Sequence, residues 1–240
     1  KKLKKINICL NHRDRFKWEY LPQSLEEIIF NCYYNSPIKH GDLPKSLIKL
    51  TLCGFFNHPI NKDVLPKSLK YLELCGNYNQ PIEPNILPES LTELVFSNNS
   101  LFNKIIDFNV LPKSLTHLTF GYHYNQPLEP GVLPDSITHL TFGKRYNQPL
   151  EPGVLPKSLK YLTFGDDYNQ TLELNVLPEK IEEIKNYQRF KLEPRLLKRA
   201  LTGPHLANWN NIEIGAHLDF DRQPDVVRHD IHILLNALHV

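Results

Sequence analysis

Two pairs of side chains that bind metals or form covalent links are each separated by 22 residues. They are His117 with His139 and Cys53 with Cys75. Zinc normally takes three or four protein ligands, and no third histidine or cysteine falls in register with the two histidines, so we predict no metal there. We expect the two thiols to be buried and unpaired. A disulfide between them is the alternative if their backbones lie close enough.

A further group of candidate ligands lies near the C-terminus, where His229 and His232 follow Asp225. Their spacing places them on one helix face but lacks the glutamate of the zinc-protease helix. We interpret them as a polar helix face. The chain also lacks a glycine-rich phosphate loop, a nucleophile elbow and paired carboxylates. We therefore predict a protein that is not an enzyme and has no cofactor.

A sequence repeat sets the elements that position these residues. The dipeptide Leu-Pro begins at Leu21, Leu43, Leu65, Leu87, Leu111, Leu133, Leu155 and Leu177. The interval is 22 residues throughout, except for one of 24 after Leu87. A period this strict predicts a stack of similar coils rather than a globule around one centre. The leucine is numbered place one of each coil below.

Within a coil, apolar residues at places five, eight and ten predict one short strand. In the coil that begins at Leu133, these places hold Ile137, Leu140 and Phe142. One strand per coil, always in the same direction, predicts a single parallel sheet. Glycines follow the later strands, at Gly121, Gly143 and Gly165, where we expect a tight bend that needs free φ.

The rest of each coil is predicted to be irregular. An aromatic residue and an asparagine occupy places fourteen and fifteen, and most coils carry prolines nearby, such as Pro127 and Pro130. Prolines this close together exclude a regular helix, so the convex side should be mostly non-helical. The asparagine column from Asn35 to Asn169 is interpreted as structural, because stacked side-chain amides can pair with backbone groups of the turns.

The fourth coil and the two ends of the chain depart from the regular repeat. The two extra residues of the fourth coil are placed within 97–101, at the turn. A partial coil opens the chain, with Ile6 and Ile8 at places eight and ten, so we expect a segment that precedes residue 1. The solenoid is predicted to span residues 1–192, about nine coils. Residues 193–240 are predicted to form a helical C-terminal cap of the same domain, which covers the apolar end of the last coil.

The side chains at places seven and nine of the strands point away from the core, and we call this surface the open strand face. Such a face is concave in leucine-rich solenoids and commonly holds a partner. Its middle is rich in aromatic, histidine and threonine side chains, which suit recognition. The alternative is a solvated sheet face, because Thr and Tyr favour strands. The candidate partner-binding residues are Tyr71, Glu73, Glu93, His117, Thr119, His139, Thr141, Tyr161 and Thr163.

Polar pairs directly after the strands change chemistry from coil to coil. They are Tyr122-His123, Lys144-Arg145 and Asp166-Asp167. Variable tips on a rigid scaffold are either contact points or tolerated surface, and the sequence leaves both interpretations open.

Composition limits the remaining possibilities. The chain is 41% apolar and carries a formal net charge of +2, which argues against nucleic-acid binding. No apolar run approaches the roughly 20 residues of a membrane span, and we expect no membrane association. Four cysteines are too few for a disulfide scaffold. We therefore expect an intracellular, cytoplasmic protein.

The repeated residues resemble the FNIP repeat, a relative of the leucine-rich repeat named for a Phe-Asn-x-Pro-Ile core. Phe56-Asn57-His58-Pro59-Ile60 spells that core, and near copies run over 34–38 and 78–82. The resemblance implies an α/β-type, leucine-rich-repeat-like solenoid. The family is abundant in social amoebae and in giant viruses of amoebae, where an F-box often precedes the repeats.

For function, the resemblance implies a protein–protein interaction module. It would be the substrate-recognition region of an F-box ubiquitin ligase adaptor, which reaches the SKP1–cullin machinery through a domain outside this chain. The alternative is a structural or assembly component, such as a virion protein or a self-associating solenoid, without a ubiquitin role. In either case the host cytoplasm would be the location of a viral member.

Overall fold

The described part of the chain folds as a stack of coils that share one parallel sheet. The computed structural model describes residues 2–10, 16–30, 33–172 and 175–185. Within these ranges the sheet has nine strands, in the order of the chain. They are β1 (Lys5–Ile8), β2 (Glu27–Phe30), β3 (Lys49–Leu52), β4 (Tyr71–Leu74), β5 (Glu93–Phe96), β6 (His117–Thr119), β7 (His139–Thr141), β8 (Tyr161–Thr163) and β9 (Glu183–Lys185).

The strand register follows the sequence period. Leu50 pairs with Leu72, 22 residues later, whereas Leu94 pairs with Leu118, 24 residues later. The predicted single parallel sheet is therefore confirmed. After the insertion the coils realign at once, because the ring of Phe102 stacks between those of Tyr78 and Tyr124, at 6.2 and 6.0 Å. The two extra residues thus lie between Phe96 and Phe102, as predicted.

The core is a row of identical layers. Along β2, β4 and β5 half-buried and buried residues alternate, so that Leu72 and Leu74 are fully buried while Tyr71 and Glu73 are not. The buried places of one coil pack on the same places of the next, which removes apolar surface from water at each interface. The aromatic rings of places ten and fourteen form two parallel columns with spacings near 6 Å, as between Phe120 and Phe142 at 5.8 Å.

The return segments carry little regular structure. The one helical element of the described ranges is a 3₁₀ turn over Trp18–Tyr20. The predicted non-helical convex side is thereby confirmed. The predicted cap over 193–240 lies outside the described residues, and so do His229, His232 and Asp225 of the tail. Within the described ranges, no helix has the length and apolarity that crossing a bilayer requires.

Two ladders of side chains tie each coil to the one before it. At place four, serine hydroxyls donate to carbonyl groups of the preceding coil, as from Ser136 to the Leu115 carbonyl at 2.6 Å. At place fifteen, each asparagine oxygen accepts the backbone N–H of the next asparagine, as from Asn147 to Asn125 Oδ1 at 2.9 Å. The structural interpretation of the asparagine column is confirmed, because these side chains satisfy amides that the coil leaves unpaired.

The expected reason for the glycines after the later strands is wrong. Gly121, Gly143 and Gly165 do not have positive φ. A Cβ at Gly143 would instead overlap the backbone carbonyl of Gly121, and one at Gly165 would overlap that of Gly143. These glycines are therefore required by the close approach of one turn to the next.

The expectation of unpaired thiols at Cys53 and Cys75 is also wrong, because the two form a disulfide. Both residues occupy place eleven, directly after β3 and β4. The in-register pairing of these strands brings their Cα atoms to 4.5 Å, which lies within the range that a disulfide spans. The parallel stack thus converts a separation of 22 residues into a direct contact.

Candidate functional site on the open strand face

The nine candidate residues lie on the five adjacent strands β4 to β8. All occupy place seven or nine, and the sheet register aligns those places across the strands. The structure therefore brings all nine onto one continuous surface. His117 is exposed, and the other eight are half-buried because neighbouring side chains of the same column cover their flanks.

Three stacked rings form the centre of this face. The ring centroids of His117 and His139 are 4.0 Å apart with an interplanar angle of 16°. Those of His139 and Tyr161 are 4.4 Å apart with an angle of 24°. The sheet places neighbouring strands less than about 5 Å apart, so flat rings at the same place stack in direct contact. The stack presents the ring edges to solvent.

Threonine hydroxyls at place six form hydrogen bonds with Nδ1 of the two imidazoles. The hydroxyl of Thr116 donates to the Thr92 carbonyl at 3.0 Å and lies 2.9 Å from Nδ1 of His117. When the hydroxyl gives its one hydrogen to the carbonyl, its bond to the imidazole is accepted from Nδ1–H.

The next strand repeats this arrangement. Thr138 donates to the Thr116 carbonyl at 3.3 Å and lies 2.9 Å from Nδ1 of His139. When Nδ1 holds the proton of a neutral imidazole, Nε2 is a hydrogen-bond acceptor. The two imidazoles thus make the same contact on adjacent strands.

The electrostatics keep His139 neutral. Burial lowers its pKa below the ordinary value of 6.5, and the neighbouring His117 lowers it further. Glu182 opposes this shift, while Lys160 adds to it. At neutral pH the His139 imidazole is therefore uncharged, and its Nε2 accepts hydrogen bonds when Nδ1–H is donated to the Thr138 hydroxyl.

The C-terminal side of the face carries an ionic cluster. Glu182 accepts a hydrogen bond from the Tyr161 hydroxyl at 2.7 Å and one from Lys160 Nζ at 2.6 Å. The bond from Lys160 is the main cause that holds the pKa of Glu182 below its usual range, followed by the bond from Tyr161. An open depression of about 240 Å³ lies beside this cluster, lined in part by Thr141, Thr163 and Lys185.

The N-terminal side is acidic. Glu73 Oε2 accepts hydrogen bonds from the Tyr71 hydroxyl at 3.1 Å and the Thr51 hydroxyl at 3.3 Å. Burial, and next the charge of Glu73, raises the pKa of the Tyr71 phenol. Glu93 pairs with Tyr71 in the register of β4 and β5, and Lys49 Nζ lies 5.7 Å from the Tyr71 ring centroid.

The variable turn tips interact with one another at the end of the strands. Lys144 Nζ and the Arg145 guanidinium lie 5.7 and 5.3 Å from the centroid of the Tyr122 ring. Lys144 also lies 4.0 Å from a carboxylate oxygen of Asp166. These tips form an exposed polar rim next to the open strand face.

Sequence reasoning missed the polar residues at place six. Thr116 and Thr138 orient the imidazoles, while Lys160 and Glu182 pair beside Tyr161. The sequence did contain a signal for these residues. Place six directly precedes place seven of the open strand face, and it is polar in every coil from Lys70 onward. It was missed because the alternation of a strand assigns place six to the core side, although the strand begins only at place seven.

Comparison with known sequences gives one family match. The model of the FNIP Repeat matches residues 14–55, 56–99, 102–145 and 146–185. No curated protein sequence matches the chain.

The solved structures that resemble the chain include the following two. One is CroV588, described as a novel circular LRR protein structure, with 46% sequence identity and a TM-score of 0.57. The similarity covers 68% of this chain and 27% of that chain, so the present chain spans about a quarter of its length. The other is YopM from Yersinia enterocolitica WA-314, with 20% identity and a TM-score of 0.39, over 69% of this chain and 38% of that chain.

Proposed function

Because this chain belongs to the FNIP repeat family, we propose that it binds a protein partner through the open strand face of its solenoid. A leucine-rich-repeat-like stack indicates a protein–protein interaction module, since it presents an extended surface on a rigid frame. The single observation that carries the proposal is the ring stack of His117, His139 and Tyr161. The proposed contact residues are the nine on β4 to β8.

The ring stack suits recognition because it is ordered before any partner arrives. Rings held at 4.0 and 4.4 Å by their neighbours have little rotamer freedom left to lose on binding. Aromatic side chains are also enriched where interfaces gain most of their energy. The threonine column at Thr119, Thr141 and Thr163 adds hydroxyl groups along the same face.

The polarity of the face selects the chemistry of the partner. The uncharged imidazole of His139 can accept a hydrogen bond, and Glu73 and Glu93 add negative charge on nearby strands. A partner segment rich in donors, such as backbone N–H groups with lysine or arginine side chains, is complementary to both. Charge complementarity of this kind also raises the association rate and makes it dependent on salt.

The resemblance supports a narrower role within this proposal. The chain would be the substrate-recognition region of an F-box ubiquitin ligase adaptor, without catalytic activity of its own. The SKP1–cullin machinery would be reached through a separate domain, in the cytoplasm of an amoebal or virus-infected cell. The full reading frame tests this role, because an F-box encoded in it is expected. A complete frame without one would contradict the adaptor role. It would not contradict partner binding by the open strand face, which is tested separately.

The binding face is tested by paired substitutions. In affinity capture with quantitative mass spectrometry, the double variant His117→Ala with Tyr161→Ala should capture at least about tenfold less of a specific partner. The reason is that central contact residues each contribute about 2 kcal/mol or more. The matched control is Lys62→Ala with Glu83→Ala, which alters exposed residues of the return segments. Equal capture by both variants, with unchanged circular dichroism, would contradict the assignment.

A self-associating structural protein is the second candidate, and the fourth coil favours it. Leu101, Ile105 and Phe108 are 41%, 61% and 52% exposed, so that coil places three large apolar side chains in water. Multi-angle light scattering at rising concentration tests the idea. Association that disappears in Ile105→Ser with Phe108→Ser would support it, whereas a strict monomer at high concentration would count against it.

A further inference from the structure

A cluster of three metal-binding side chains lies at the C-terminal ends of β3 and β4. The sulfur atoms of Cys53 and Cys75 and a carboxylate oxygen of Glu73 all lie within 4.8 Å of one another. Cys53 and Cys75 are at place eleven and Glu73 is at place nine, and the in-register pairing of β3 and β4 brings the three side chains together. In the described part of the chain, this group is the one that meets these distances.

The carboxylate of Glu73 is held in position by its neighbours. The hydroxyls of Tyr71 and Thr51 donate to it at 3.1 and 3.3 Å, and both bonds end on Oε2. The other oxygen, Oε1, is then available to a cation. Hydrogen bonds of this kind orient the ligands of metal sites and increase the affinity of the site for the metal. The cluster therefore has an outer layer of support as well as three donor atoms.

The burial of the cluster fits a site with one open position. Cys75 is 1% exposed, whereas Cys53 and Glu73 are half-buried and reach solvent. Two thiolates and a carboxylate supply three negative charges, a donor set that favours zinc over calcium or magnesium. A water molecule would complete a tetrahedron.

The backbone spacing is compatible with metal binding once the disulfide is reduced. In a tetrahedral site with Zn–S bonds of about 2.3 Å, the two sulfurs are about 3.8 Å apart. Rotation of the two side chains about Cα–Cβ separates the sulfurs while the Cα atoms stay 4.5 Å apart, as the paired strands require. The bonded and the metal-binding states thus need the same sheet.

We propose that the reduced Cys53–Cys75 pair and Glu73 bind one zinc-like divalent cation, and that formation of the disulfide releases it. A dithiol reductant breaks the S–S bond by thiol–disulfide exchange. Two electrons and two protons pass to the cysteines, and the reductant becomes a cyclic disulfide. The cation then displaces the two thiol protons. A disulfide oxidant takes the two electrons back, and the cation leaves with its charge unchanged.

Cobalt titration of the full chain tests the site. Cys9 and Cys32 are first replaced by serine, so that Cys53 and Cys75 are the only cysteines left. The protein is reduced with a dithiol, desalted without oxygen and titrated with Co²⁺ as a spectroscopic substitute for Zn²⁺. A near-ultraviolet thiolate-to-cobalt band that saturates at one ion per chain is expected, and Zn²⁺ should abolish it. The oxidised protein should show no band.

Two substitutions assign the ligands. Cys75→Ser should remove most of the band, and Glu73→Gln should weaken Co²⁺ binding at least about tenfold, since it removes a charged ligand. Glu83→Gln is the matched control, because this exposed glutamate lies on a return segment and its loss should leave the titration unchanged. Absence of the band in the reduced protein would overturn the proposal, and so would equal affinity in Glu73→Gln and the parent. Circular dichroism establishes that each variant is folded.

Discussion

At the scale of single residues, the tyrosine hydroxyls of place fourteen are an unusual feature of the core. Among the described residues, none offers a hydrogen-bond partner to the buried hydroxyls of Tyr78, Tyr124 and Tyr146. Burial raises the pKa of all three phenols, as it does for Tyr34, whose pKa reaches about 12. The same column contains Phe56 and Phe102, which pack without a hydroxyl.

This column provides a matched pair of substitutions. Tyr146→Phe should leave the free energy of unfolding unchanged or raise it by about 1 kcal/mol, because it removes a buried group without a partner. Phe102→Tyr should lower that free energy by about 1–3 kcal/mol, since it buries a new hydroxyl. Urea unfolding followed by circular dichroism measures both. A substantial loss of stability in Tyr146→Phe would show that its hydroxyl is paired in solution.

His139 gives a pH dependence with a defined sign. Its pKa in the folded chain lies below the ordinary 6.5, chiefly because of burial and then because of His117, so the unfolded chain takes up the proton first as the pH falls. The stability that depends on uncharged His139 should therefore be fully present above about pH 6.5. It should be lost as the pH falls from there through the folded pKa. Lys160 and Glu182 also face this ring, with opposite effects.

Proton NMR of the imidazole ring checks this interpretation. In the parent, the His139 signal should titrate below pH 6.5. His117→Gln should move the pKa of His139 upward, because the substitution removes one of the causes that lower it. A pKa above 6.5 in the parent would mean that Glu182 outweighs burial and His117.

At the scale of the structural elements, the insertion of the fourth coil divides the sheet into two strand types. Strands β2 to β5 have four residues, and β6 to β8 have three. Before the insertion the turn is made by Gly54 and Gly76, both with positive φ, one place after the cysteines. After it, the turn glycine moves to place eleven, as at Gly143. The cysteine pair therefore belongs to the first type of turn.

Glycine is required at some turns by close backbone approach and at others by positive φ, and the two requirements predict different losses of stability on substitution by alanine. Gly143→Ala should lower the free energy of unfolding by about 3 kcal/mol, because the new Cβ would overlap the Gly121 carbonyl and separate two turns. Gly41→Ala should cost only about 1–2 kcal/mol, because Gly41 has a φ of 87° but open space around its Cα. Urea unfolding of both variants tests the order. A Gly143→Ala protein as stable as Gly41→Ala would contradict the close approach of the turns.

At the scale of the whole molecule, stability is a property of the interfaces between neighbouring coils. Each strand contacts the strand before it and the strand after it, and the serine and asparagine ladders follow the same rule. Cooperative unfolding must therefore be transmitted from coil to coil. A defect in a middle coil should weaken the coupling between the two ends.

Leu118→Ala tests this transmission. Leu118 lies on β6, is 1% exposed and pairs with Leu94 and Leu140 on its two neighbours. Its truncation should cost about 2–5 kcal/mol and separate the unfolding of the N-terminal coils from the rest. In a Trp209→Phe background, Trp18 reports on the first coils and circular dichroism on the whole chain. Their transitions should coincide in the parent and differ in Leu118→Ala. Coincident transitions in the variant would argue for a single cooperative unit.

The amino-acid sequence by itself determined the coil, the strand in each coil, the in-register parallel stack and the set of side chains on the open strand face. These features follow from a 22-residue period, because stacking in register makes residues of the same place neighbours, as with His117 and His139. The position of the inserted residues followed for the same reason. The repeat contained all of this information.

Only the tertiary structure decided the contacts between different places and the distances within one place. The bond from the Tyr161 hydroxyl to Glu182 joins place seven to place six, and the direction of each side chain depends on where the strand begins. The Cys53–Cys75 disulfide and the contact of Gly143 with the preceding turn depend on how closely two backbones approach. A period specifies which residues are neighbours, but turn geometry sets their separation and therefore their chemistry.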